Sequence, residues 1–130
     1  MILEGGITIA HQNHHSKELK PFDVDSFSGD WSTSAIGTCV DFNVMIAGEL
    51  DCELGSLELK ENVTQLISID LTMTMLFIYS VEGGVEIRIA EESILLNVGQ
   101  LFVASELAAE KIHLCASKLA QLVVVKIAHF

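Results

Sequence analysis

The chain has 130 residues, half of them hydrophobic and 19% charged, which excludes an intrinsically disordered protein and suits an ordinary domain with a buried core. Its formal net charge of −11 sets nucleic acid and anionic membrane surfaces aside as partners, because both would repel it. Cys39, Cys52 and Cys115 include no CxxC pair and read as reduced thiols of a cytoplasmic protein, and no basic region followed by an apolar core marks a signal peptide.

Glycines punctuate short β-rich runs, and Pro21 is the single proline. The first run, Ile2–Ala10, carries Gly5-Gly6. A polar turn follows, then a return around Leu19–Phe22 and a corner at Phe27-Ser28-Gly29-Asp30. Val40–Ala47 alternates, with Val40, Phe42, Val44 and Ile46 on one face and Asp41, Asn43 and Met45 on the other. Leu50–Leu59 and Val63–Ile69 are further strands. Leu71–Val81 is the strongest: Met73, Met75, Phe77 and Tyr79 are expected in the core, while Leu76 and Ile78 make the second face apolar as well. It is too short to span a bilayer as a helix. Val85–Ala90, Ser93–Asn97, Gln100–Ala104, Lys111–Ala116 and Gln121–Ala128 complete the set, with a single turn expected over 106–111. Strands this short and regularly spaced predict an all-β sandwich or barrel of jelly-roll type.

The tripeptide Glu4-Gly5-Gly6 recurs as Glu82-Gly83-Gly84. Both copies precede the same succession of strand, turn, return, corner and strand, and both glycine pairs read as tight hairpin turns. The second copy has a long strand-forming stretch before it, Gly48 to Val81, whereas the first has only Met1-Ile2-Leu3. The expected organisation is therefore a partial first barrel over 1–48 and a complete second barrel over 49–130. Ile2, Ile7, Ile9, Val40, Phe42 and Val44 are then expected to be uncovered, so that residues 1–48 drive self-association or fold poorly.

Strand, glycine-pair turn, strand and glycine corner resemble the cupin pattern. Within the cupins, Leu3 to Gly6, Leu19-Lys20-Pro21-Phe22, Phe27-Ser28-Gly29-Asp30 and Asp41-Phe42-Asn43-Val44-Met45 resemble the HutD/Ves family over about residues 2–60. The resemblance implies a cupin-like, bicupin architecture with an incomplete first barrel, in a bacterial cytoplasmic protein linked to histidine utilisation or to stress. Members of that family normally begin with further residues, so the chain reads as N-terminally truncated.

Many cupins hold a metal with two His and a Glu on one hairpin and a later His. Here no histidine stands between His15 and His113, so no metal ligands and no cofactor are expected. His113 reads as a surface or satisfied histidine. His11, His14 and His15 form an HxxHH cluster, expected to be a solvated loop with no carboxylate adjacent. Asp30, Asp41 and Asn43 are the candidate ligand-binding residues. Asp41 and Asn43 share one face of their predicted strand, where Asn donates and accepts and Asp accepts; capping of the corner by Asp30 and local backbone satisfaction by Asn43 are the structural alternatives. Trp31 is expected to cover a sheet end, with the lining of a cleft as the alternative. No nucleophile elbow, phosphate loop or dinucleotide fingerprint is present in the sequence.

The function expected is that of a non-catalytic cupin protein that binds a small polar metabolite or acts as an accessory or regulator. The alternatives are a cupin enzyme acting on a small organic acid and an inactive fragment.

Overall fold

The computed structural model describes residues 1–107 and 111–129, and every regular element among them is a β-strand. No helix long and apolar enough to cross a membrane is found among the described residues. The turn expected over 106–111 lies in part at 108–110, outside them. The chain divides into two compact units, Met1–Met45 and Ile46–Phe130.

The first unit is a three-stranded antiparallel sheet of β1 (Ile2–His11), β2 (Ser16–Leu19) and β3 (Thr33–Asp41), in the order β2-β1-β3. The alternation of β1 places Ile7, Ile9 and His11 on one face. Ile2, Ile9 and Leu19 form its small core, against which Ile7 and Cys39 pack. Ile2 and Ile9 are thus covered within the unit, not exposed as expected; β3 exposes Ile36 and Val40, and Phe27 and Met45 are exposed outside the strands. β3 itself departs from the expected Val40–Ala47 strand. It begins seven residues earlier, in a run of small and polar residues, because backbone pairing with β1 from Thr33↔His11 to Asp41↔Ile2 defines it and burial does not.

The second unit contains two four-stranded antiparallel sheets, ordered β5-β10-β7-β8 and β4-β11-β6-β9. These strands are β4 (Leu50–Leu59), β5 (Gln65–Ser68), β6 (Met73–Glu82), β7 (Val85–Ile89), β8 (Glu92–Leu96), β9 (Leu101–Ser105), β10 (Lys111–Cys115) and β11 (Ala120–His129). One core joins the sheets: Ile67, Val85, Ile87, Ile112 and Leu114 from the first, with Leu59, Leu76, Ile78 and Leu122 from the second. This is the all-β, jelly-roll arrangement that the strand spacing predicts.

Met73 is buried in the core as expected, but from Met75 onward the core face of β6 is the reverse of the one expected. Leu76 and Ile78 are fully buried, whereas Met75, Phe77 and Tyr79 are half-buried on the other face. Periodicity could not decide, since both faces are apolar, and the branched residues took the core. In β4 the apolar face changes sides at Gly55, so Leu57 and Leu59 reach the core and Leu50, Cys52 and Leu54 face away.

Neither glycine pair is a hairpin turn. Gly5-Gly6 lies inside β1 opposite Cys39 and Thr38. Gly83-Gly84 separates β6 from β7, which belong to different sheets. Only the first glycine of each pair has a left-handed backbone, at φ 76° for Gly5 and 73° for Gly83. The first glycine of each pair supplies a left-handed residue where the backbone lies against a neighbouring segment.

Candidate functional site

The polar centre of the first unit is built on the β1–β2 turn. The His11 amide donates to the His15 carbonyl at 2.8 Å, and the His14 amide donates to the His11 carbonyl at 3.0 Å. Asn13 takes the left-handed conformation the turn needs (φ 65°), one that Asn tolerates. The turn therefore holds His11 and His15 close together, with ring centres 4.7 Å apart.

The long loop after β2 brings the carboxylate. Its start is tied to β1: the Phe22 amide donates to the Ile2 carbonyl at 2.7 Å and the Ile2 amide to the Asp23 carbonyl at 3.1 Å. Its end is tied to the turn by the Gln12 amide, which donates to the Ser32 carbonyl at 2.9 Å. Between these ties Asp25 lies against both imidazoles. His11 Nε2 is 2.7 Å from Asp25 Oδ2, and His15 Nε2 is 2.7 Å from Asp25 Oδ1. The side chains of His11 and Asp25 are 0% and 4% exposed, and that of His15 is 38% exposed. Lys17 Nζ lies 3.7 Å from Asp25 Oδ1 on the solvent side. Burial pushes the Asp25 carboxyl up, but the hydrogen bonds and charges of the two histidines outweigh it and hold the carboxyl below its ordinary range.

A second polar partner orients His11 from behind. Thr33, its direct cross-strand neighbour, places Oγ1 2.7 Å from His11 Nδ1 and 3.2 Å from the Trp31 carbonyl. Aromatic rings close the sides. Phe27 is 4.4 Å from the His11 ring centre, and Trp31 stacks on His14 at 3.6 Å, nearly parallel. Trp31 also sits 5.7 and 5.9 Å from His11 and His15. Trp31 therefore walls the histidine cluster. A cleft of about 530 Å³ opens here, lined by Ala10 to Ser16 and Ser32 to Ser34.

This corrects the reading of HxxHH as a solvated loop without a carboxylate. His14 is exposed, but His11 is buried and shares Asp25 with His15. One signal for His11 stood in the sequence: it continues the Ile7, Ile9 alternation onto the covered face of β1. Asp25 had no such signal, because only the loop path brings it back.

The structure does not assemble Asp30, Asp41 and Asn43 in the same way. Asp30 is exposed in the turn before β3, where Ser28 Oγ donates to it. Asp41 is exposed at the end of β3, opposite Ile2. Asn43 is exposed beyond the strand, so strand alternation no longer ties it to the face of Asp41. None of the three lines the histidine cleft or a second cleft of about 610 Å³ between Gly6–Thr8, Glu18–Lys20, Asp23 and Ile36. His113 is exposed on the outer face of β10.

Comparison with known proteins adds the family. The HutD family model matches residues 1–123. No curated protein matches the sequence. Among solved structures, the conserved protein of unknown function PA5104 from Pseudomonas aeruginosa PAO1 aligns with 99% of this chain and 70% of its own, with TM-score 0.76 and 17% identity. That likeness shows a shared fold. The EutQ protein of Clostridium difficile (TM-score 0.47, 23% identity) and ectoine synthase from P. lautus (0.48, 22%) align with 61% and 58% of this chain. The chain spans 56% and 52% of their lengths.

Proposed function

The chain belongs to the HutD family and has a cupin-type fold, and from that premise we propose that it is a non-catalytic protein that binds a small polar metabolite in an accessory or regulatory role. The observation that carries this reading is the half-exposed His15 edge in a polar cleft. Asp25 fixes the imidazole from below, and the cleft offers Gln12, Asn13, Ser16, Ser32 and Ser34 around it. Such a surface presents both donors and acceptors to a small ligand. The imidazole of the hydroxyl–imidazole–carboxylate chain Thr33–His11–Asp25 is buried, so it serves to orient the cleft wall and not to exchange protons with a substrate.

The three cysteines are free, which supports a cytoplasmic setting. The shared left-handed glycine of the two Glu-Gly-Gly segments supports a duplicated barrel motif, with a partial copy over 1–48 and a whole one over 49–130. Asp30, Asp41 and Asn43 remain a second candidate surface.

A screen of small polar metabolites, read by the fluorescence of Trp31, the single tryptophan, tests the reading. A genuine ligand loses affinity with His15→Ala by roughly 1–3 kcal/mol and is not turned over. A ligand that ignores His15 but responds to Asp41→Ala or Asn43→Ala places the site beyond the end of β3 instead.

A further inference from the structure

We propose that His11, His15 and Asp25 form a binding site for one first-row divalent metal ion, with zinc the best match to the donors. Two imidazole nitrogens and a carboxylate oxygen are a donor set that zinc and its neighbours favour. The three donor atoms lie within 4.8 Å of one another, and the two His–Asp25 pairs, at 2.7 Å, need open by only about half an ångström to reach the roughly 3.3 Å separation of ligands around a tetrahedral ion.

Three features prepare the site. The turn hydrogen bonds fix His11 and His15 before any ion arrives. Both imidazoles already aim Nε2 at the one carboxylate, so an ion takes the place of the two bridging protons. Thr33 then accommodates the change on His11. With Nε2 protonated, the Thr33 hydroxyl donates to Nδ1. With the ion on Nε2, the proton resides on Nδ1 and is accepted by Thr33 Oγ1, whose own hydrogen turns to the Trp31 carbonyl. A partner that orients the far nitrogen is the usual support of a metal-bound histidine.

The balance closes without an added acid or base. Two neutral imidazoles and one carboxylate give up two lone pairs and one oxygen to the ion. The proton on His11 moves to the nitrogen facing Thr33, and that on His15 to its other nitrogen, on a ring open to water. The site passes from one negative to one positive charge in a chain of net charge −11, which favours cation entry. Phe27 and Trp31 flank the His11 side. The 38% exposure of His15 provides the entry path and leaves a fourth position for water or a ligand atom. Lys17 is the competitor, 3.7 Å from Asp25 and itself 53% exposed, so it can swing clear.

The test uses the untagged full chain. Zinc is titrated against a chromophoric chelator, cobalt is followed by its visible absorption, and Trp31 fluorescence reports proximity. The expected result is one equivalent, tetrahedral-type cobalt bands and quenching of Trp31. His15→Gln and Asp25→Asn should each weaken binding on the order of tenfold or more. His113→Gln should leave it unchanged, and Lys17→Ala should tighten it. Zinc should raise the melting temperature of the wild type and not that of His15→Gln, which alters a half-exposed side chain. Absence of binding, several weak equivalents, or an affinity indifferent to His15→Gln overturns the proposal. A metabolite that binds equally well with chelator present leaves the ligand reading standing when the metal site fails.

Discussion

Gly5 and Gly83 share one backbone state and one kind of neighbour. Both are left-handed, and a Cβ on either would collide with a neighbouring carbonyl: Thr38 O on β3 for Gly5, and Leu119 O, just before β11, at 2.6 Å for Gly83. Each is the first glycine of a Glu-Gly-Gly segment, so the sequence repeat marks a repeated geometric demand.

Gly83→Ala, and separately Gly5→Ala, should therefore cost about 1–3 kcal/mol through combined strain and overlap. Gly55→Ala is the control. It has open space at the Cβ position and no left-handed backbone, and should change stability by less than about 1 kcal/mol. Urea unfolding of the three variants decides; equal costs would show that neither feature matters.

Asp25→Asn should destabilise the chain by about 1–3 kcal/mol at neutral pH, because a neutral amide cannot accept from both imidazoles as the carboxylate does. The folded-state carboxyl lies below its ordinary value of 3.8, so its contribution is fully present above that value. It is lost as pH falls through the lower folded value. The stability gap between wild type and Asp25→Asn should thus be flat near neutrality and shrink in the acid range. A gap that widens on acidification contradicts the hydrogen-bonded carboxylate.

The reversed face of β6 can be read by placing a hydroxyl on each side. Ile78→Thr puts one in the sealed core and should cost about 2–4 kcal/mol. Phe77→Tyr extends a half-buried ring and should stay within about 1 kcal/mol. Thermal melts showing the opposite order would return Phe77 to the core.

We propose that copies of the chain associate through residues 1–48, on the face where Ile36 is 81% exposed and Val40 51%. Ile36 lies opposite Thr8 and shares its face with Val40, with Thr38 between them, along an edge strand. Sedimentation should show concentration-dependent dimers that Ile36→Lys abolishes. A strictly monomeric wild type at high concentration refutes the patch as an interface.

The strands that bury a face were legible from sequence. Leu50–Leu59 is observed with the expected bounds, its apolar residues alternating with exposed polar ones on either side of Gly55. β3 was misplaced because its residues are nearly all exposed and it exists by pairing alone. The β6 face was inverted because two apolar faces carry no phase. At the site, His11 obeyed the alternation of β1 and was still discounted as part of a polar cluster. Asp25 was invisible, since its approach depends on loop ties at Ile2 and Ser32 that no local pattern encodes.

β11 pairs along its whole length with β4 on one side and with β6 on the other, and in its sheet β4 has no other neighbour. During synthesis, β4 therefore waits while about 60 further residues are added, roughly 3–12 s at common translation rates. The β7–β8 hairpin can close as soon as it leaves the ribosome. For that interval Leu50, Leu54, Leu57 and Leu59 lie on a nascent strand with no partner, a natural target for a chaperone that recognises short apolar segments. Slowing translation between residues 60 and 119 lengthens that exposure and should lower the folded yield without changing a single residue.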